Sequence, residues 1–192
     1  YVTLEMSEEK IAERIDANCL NLSIKDIVDV PQVIFRSKIS DLQKKTNGKI
    51  IVKEYPTASA HAGHFRSLLN ELKLKKSFKP DIIFIDYLNI CASVRYKGHI
   101  VNSYTYVKAI AEELRGLAVE FDLPIVSATQ TTRSGFGSSD PDLTDTSESF
   151  GLPATADLMF ALISNEELEQ EGRIMVKQLK NRYNDPTSNR KF

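Results

Sequence analysis

At three places in this chain an apolar run stops on a side chain that can do chemistry. Asp81-Ile82-Ile83-Phe84-Ile85-Asp86-Tyr87-Leu88 has an unbroken β-branched and aromatic core and ends on the carboxylate of Asp86. Thr3-Leu4-Glu5-Met6-Ser7 ends in the same way on Glu5, and Ile125-Val126-Ser127-Ala128-Thr129 leads into the amide of Gln130. The carboxyl end of a parallel strand is where open α/β sheets take their ligands. In phosphate chemistry an Asp at that point holds Mg²⁺ through the ion's water shell. A second carboxylate on the same edge supplies a general base, and an amide can sense a phosphate. Further on, Lys180-Asn181-Arg182 sets two cations at alternate positions. On a strand they share one side and form a fork suited to phosphate oxygens. Each feature has a plainer account: Asp86 opening a loop, Glu5 flanking a helix, Gln130 as a loop amide, the two cations on a solvated edge. Their occurrence together, in this order, favours the chemistry.

The elements that must position these groups are legible in the periodicity. Tyr1 to Glu5 reads as a strand, and Ser7 as the N-cap of a helix whose stripe is Ile11, Ile15 and Cys19. A second helix is expected over Gln32 to Lys45, closed by Asn47-Gly48, and a short strand over Lys49 to Lys53. Phe65, Leu68, Leu69 and Leu72 mark a helix face that ends before Pro80. Asp81 to Asp86 is then the central strand, read as buried on both faces. Tyr104, Val107, Ala111, Leu114, Ala118 and Phe121 repeat at three and four over a long helix, and Pro124 introduces the strand Ile125 to Thr129. Gln130 to Gly151 is a long polar loop, of a length that is usually functional in a compact domain. Asp157 to Ile163 and Ile174 to Leu179 read as two more strands joined by the acidic turn Asn165 to Glu169. The β-α alternation predicts a mostly parallel sheet with right-handed crossovers.

The composition suits one sizeable domain spanning residues 1–192, with 26 acidic and 25 basic residues nearly cancelling. Any site for a polyanion must therefore be a local patch. Cys19 and Cys91 lie in no metal-like or redox spacing, which suits free thiols in a reducing compartment, the cytoplasm. No apolar run approaches the roughly 20 residues of a membrane span, and no signal peptide precedes the first strand. The chain opens inside a strand-like run without an initiator Met, so a piece of a longer protein is expected. His61 and His64 could share a helix face, but no third metal ligand accompanies them.

These residues resemble the ATPase domain of the DnaB family of replicative helicases. The likeness runs through Leu4-Glu5-Met6-Ser7, Asp86-Tyr87-Leu88, the tract from Val107 to Gln130, Gly151-Leu152-Pro153-Ala154-Thr155-Ala156-Asp157 and Lys180-Asn181-Arg182. It covers essentially the whole chain. It implies an α/β, RecA-like core, a mostly parallel sheet flanked by helices and truncated on its N-terminal side. Glu5 would polarise the attacking water, Asp86 would be the Walker B residue that organises Mg²⁺, and Gln130 would couple the γ-phosphate of ATP to the following loop. Lys180 and Arg182 would reach the neighbouring subunit's nucleotide in a hexameric ring on single-stranded DNA. Arg95 and Lys97 in one loop and Arg133 in the next would track the DNA backbone, unless they are solvated loop cations. Primase and a helicase loader are possible partners by the same resemblance, and a bacterial host's cytoplasm the compartment if a phage encodes the chain.

One departure stands out. The family's phosphate-cradling Walker A loop, G-x-x-x-x-G-K-S/T, does not occur in the 192 residues, and Asn47-Gly48-Lys49-Ile50 is a poor substitute. By the resemblance that loop, and the strand leading into it from the middle of the sheet, fall before Tyr1. The fragment alone is then expected to be inactive. Two other readings share the core: a RecA-type recombinase, and a non-catalytic RecA-like module kept for assembly or DNA contact.

Overall fold

The computed structural model describes residues 1–96, 101–131, 141–145, 151–185 and 190–192. Its elements in chain order are β1 (Val2–Thr3), α1 (Glu8–Leu20), α2 (Ile24–Ile27), α3 (Gln32–Lys45), β2 (Lys53–Glu54), α4 (Ala62–Lys76), β3 (Ile83–Asp86), α5 (Ser103–Phe121), β4 (Ile125–Ser127), α6 (Gly151–Thr155), β5 (Leu158–Ile163), α7 (Glu166–Gln170) and β6 (Met175–Asn181). Single 3-10 turns lie at Leu88–Ile90 and Leu143–Asp145.

Local chemistry explains where the helices start and stop. The Ser7 hydroxyl accepts from the Lys10 amide, with Glu8 and Glu9 in the positive first turn of α1. Asn102 caps α5 by accepting from Thr105, and Asp122, at φ 50°, closes it in the left-handed conformation. The paired histidines turn out to be a cap. His61 Nδ1 accepts from the Gly63 amide and His64 Nδ1 accepts from the His61 amide, a reciprocal capping box at the start of α4. Among the described residues no cluster of three metal-ligating side chains exists.

Four strands form a parallel sheet in the order β2-β1-β3-β4. Val2 pairs with Lys53 on one side and Ile85 on the other, and Phe84 pairs with Val126. The inward side chains Val2, Leu4, Ile83 and Ile85 pack on Phe65 and Leu69 of α4 and on Val107, Ile110, Leu114 and Leu117 of α5. Each such residue taken out of water contributes about 1.5–3 kcal/mol, which fixes the register of very short strands.

Two expectations need correction. The central strand is covered on one face only: Ile83 and Ile85 are buried, whereas Ile82, Phe84 and Val126 on the other side are 41%, 40% and 44% exposed. Helices α4 and α5 lie on the same face of the sheet, and α3, over the expected residues, buries none of its own side chains. The second strand falls at Lys53–Glu54 rather than Lys49 to Lys53, because its partners are set by β1: the Lys53 amide donates to Tyr1 O and the Tyr55 amide to Thr3 O. The last two strands, expected as a pair joined by the acidic turn, stand apart from the parallel sheet. β5 and β6 pair antiparallel as a separate two-stranded sheet, with a bulge between Met159 and Phe160. Their short α7 connection can only return the chain alongside, since a parallel neighbour needs a longer crossover. No helix among the described residues is long and apolar enough to cross a membrane.

Candidate active site

The register of β1, β3 and β4 brings the three chemically interesting strand ends to one edge. The Leu4 amide donates to Asp86 O at 2.9 Å and the Leu88 amide to Ala128 O at 3.2 Å, so Glu5, Asp86 and Gln130 emerge side by side. A tight local turn sets Glu5. The fully buried Thr3 hydroxyl donates to Met6 O at 2.8 Å and accepts from the Met6 amide at 3.1 Å, while Thr57 Oγ1 donates to Leu4 O. The Glu5 carboxylate is left exposed, with no hydrogen-bond partner among the described residues.

Asp86 Oδ2 accepts from the Tyr1 hydroxyl at 2.7 Å, and the Tyr1 ring stacks on Phe84 with centroids 6.3 Å apart. Burial, and then the neighbouring Asp86 carboxylate, push the Tyr1 phenol well above its usual range, so it remains a donor. Oδ1 of Asp86 accepts no hydrogen bond from the described residues. One carboxylate with an open oxygen, and no cluster of three metal-ligating side chains among the described residues, fits an Mg²⁺ that would be held through water. Gln130 Nε2 donates to the Tyr87 hydroxyl at 3.2 Å, so the residue after Asp86 touches this amide. The peptide between Asp86 and Tyr87 is cis. Sequence reasoning missed Tyr1 and Tyr87 as partners of this edge; only the position of Tyr87 next to Asp86 hinted at it.

The cationic fork forms elsewhere. Lys180 is on β6 and Arg182 just beyond it, and both turn to one side, as the alternate spacing predicts. Lys180 Nζ donates to the carbonyls of Pro153 and Ala154, and Arg182 Nη2 donates to Ala154 O at 2.9 Å. Both therefore grip the carboxyl end of α6, where unpaired carbonyls carry the negative end of the helix dipole. Asp157 lies between Arg182, 2.8 Å from its Nε, and Arg115 of α5, whose Nη1 donates to Oδ2 at 2.7 Å. Desolvation and the charges of Arg182 and Arg115 lower the Lys180 pKa, with Asp157 partly offsetting them.

Of the three loop cations, Lys97 and Arg133 lie outside the described residues. Arg95 is described and pairs through Nη1 with Glu112 of α5. The next residue, Glu113, holds the root of the same loop: it accepts from the Val94 amide at 2.9 Å and from the Ser93 hydroxyl at 2.7 Å. A further residue went unread. Lys177 of β6 is 2% exposed, and its Nζ donates to Pro141 O, tying the loop after β4 to the strand that precedes the fork. Lys177 in a strand of mixed apolar and polar residues gave no signal of this.

A parallel sheet with acids and an amide along its carboxyl edge is an α/β arrangement that takes its ligands at that edge. Two solved structures superpose on the chain. One is an ATPase domain, with TM-score 0.74 over 96% of this chain and 68% of that one at 20% identity. The other is a DnaB-like replicative helicase determined with its primase interactions, with TM-score 0.73 over 95% and 45% at 21% identity. The family model for the DnaB-like helicase C-terminal domain matches residues 1–188, and the chain belongs to that family. It is 50% identical to a DnaB-like replicative helicase of Enterobacteria phage T4 over 100% of its own length and 41% of the relative's. It is 24% identical to the replicative helicase DnaB of Rickettsia typhi over 86% and 33%. The chain thus spans less than half of these relatives, and the expected RecA-like, DnaB-family core is borne out.

Proposed function

We propose that this chain is the partial RecA-like ATPase domain of an ATP-driven replicative DNA helicase that encircles and translocates on single-stranded DNA as a homo-oligomeric, six-membered ring. The observation that carries this reading is the shared edge of β1, β3 and β4, with Glu5, Asp86 and Gln130 adjacent in the order the mechanism needs. Glu5, exposed and unpaired among the described residues, accepts a proton at its carboxylate from a water aimed at the γ-phosphate. Asp86 holds Mg²⁺ through water, and the ion, when bound, neutralises charge developing on the phosphates. Gln130 senses the γ-phosphate and passes its presence to the loop that contains Arg133.

Lys180 and Arg182, which match the family's cations, serve the neighbouring subunit's nucleotide. A finger supplied from the next subunit requires an assembly, which agrees with a ring. The split into a four-stranded and a two-stranded sheet supports a further strand, the one leading into a Walker A loop, belonging between them in the full-length protein. Arg95, Lys97 and Arg133 track the DNA backbone from loops after β3 and β4. The relative solved with its primase interactions makes primase a reasonable partner of the whole protein, together with a loader, and cytoplasm the compartment.

The test is made on the full-length protein. Glu5→Gln, which keeps shape but removes the base, is expected to lower DNA-stimulated ATP turnover by about 10²–10⁴-fold, with ATP affinity nearly unchanged. Turnover at the level of the unaltered protein would contradict the assignment.

A further inference from the structure

The Lys180–Arg182 fork is held by a side chain that no part of the mechanism above uses. Asp157 stands at the junction of α6 and β5, and two guanidiniums meet on its carboxylate. Arg115 Nη1 donates to Oδ2 at 2.7 Å and also to Thr155 O at 3.0 Å. Arg182 Nε approaches Oδ1 at 2.8 Å, while its amide donates to Asp157 O at 2.8 Å and Nη2 reaches Ala154 O. The contact to Oδ1 is an ion pair without the alignment of a hydrogen bond, and this oxygen is otherwise buried without a partner. Arg182 Nη1 makes no hydrogen bond with the described residues. With Lys180 beside them, three cations surround a single carboxylate.

This is the arrangement expected of a guanidinium held from behind, its far nitrogen kept for another anion. We propose that Asp157 is the positioning residue of Arg182. Shared with Arg115, its carboxylate sets the direction in which the guanidinium meets a phosphate. Arg115 keeps the carboxylate fixed while Arg182 exchanges part of its contact for the phosphate. The inference rests on the reading of Arg182 as the cation that stabilises transferring phosphate. A staple between α5 and β6 would look similar in a static structure, but it would not act through Arg182 alone.

The test compares Asp157→Asn, Arg182→Ala and the double variant in the full-length helicase, measuring DNA-stimulated ATP turnover and the KM for ATP. Asp157→Asn is expected to lower kcat by about 10²-fold, the effect of misplacing a reacting group by about 1 Å, with KM nearly unchanged. Because it acts through Arg182, the double variant should be no slower than Arg182→Ala alone. Multiplying effects, or a loss confined to KM, would make Asp157 a structural staple and overturn the proposal; so would unchanged turnover in Asp157→Asn. If Arg182→Ala turns over normally while Asp157→Asn is slow, the reading of Arg182 falls first and takes the proposal with it. Should Asp157→Asn fail to assemble, Asp157→Glu keeps the charge but displaces it by one methylene, and the same kcat loss and the same non-additivity are expected.

Discussion

On the carboxyl edge of the four-stranded sheet Glu5 has no partner among the described residues and Asp86 has one, the Tyr1 hydroxyl. At the end of β6, by contrast, Lys180 and Arg182 are occupied by the carbonyls of Pro153 and Ala154 and by Asp157. The acids stand open to an incoming ligand, while the cations must trade contacts they already have. That trade is inexpensive. The Arg182 and Asp157 side chains are 40% and 35% exposed, and ion pairs so wet contribute about 0–1 kcal/mol. Open acids would receive water and metal, and partly satisfied cations would be held for an anion by Asp157 and the carbonyls at the end of α6.

The largest way to break this contrast is to remove the cation. Arg182→Ala in the full-length protein is expected to cut ATP turnover by about 10³-fold or more while ATP still binds, measured as steady-state hydrolysis beside equilibrium nucleotide binding. A loss of binding instead would place Arg182 with the ground-state contacts.

A stability measurement sharpens the same contrast between the two sheets. In the 192-residue chain, Ile85→Ala removes a side chain only 2% exposed and should cost about 3 kcal/mol in denaturant unfolding. Leu162→Ala on β5 removes one that is 74% exposed and should change stability by about 0.5 kcal/mol or less. Equal costs would mean that the hairpin is as firmly packed as the parallel sheet.

The smallest effect concerns DNA. Arg133→Ala in the full-length protein should reduce the slope of log affinity against log salt by about 1, because one phosphate contact no longer releases a counterion. An unchanged slope would leave Arg133 as a solvated cation.

What the sequence made legible follows a physical line. The helix at about Gln32–Lys45 was readable, and Ser7 as an N-cap, because helix breakers and caps are local properties. The shared edge of Glu5, Asp86 and Gln130 was readable because parallel topology converts strand order into position. The bare face at Ile82 and Phe84 was not, since an apolar run does not say whether its second layer belongs to the same stretch of chain. Nor was the separation of β5 and β6 from the parallel sheet, which depends on what lies beside them in space. The histidine capping box and the Asp157 junction were equally hidden: His is an uncommon cap, and Asp157 meets Arg115 only after the chain has folded α5 against α6.

The central claim is that an open acid edge on one subunit is completed by the fork of another. Its most direct test mixes full-length Arg182→Ala subunits with Glu5→Gln subunits, each inactive alone, after subunit exchange has been confirmed by a fluorescence label. A mixed ring contains junctions where an intact Glu5 site faces an intact Arg182, so part of the ATPase activity should return. If exchange is complete and no mixing ratio restores activity, the two halves do not meet across a subunit boundary and the account is wrong.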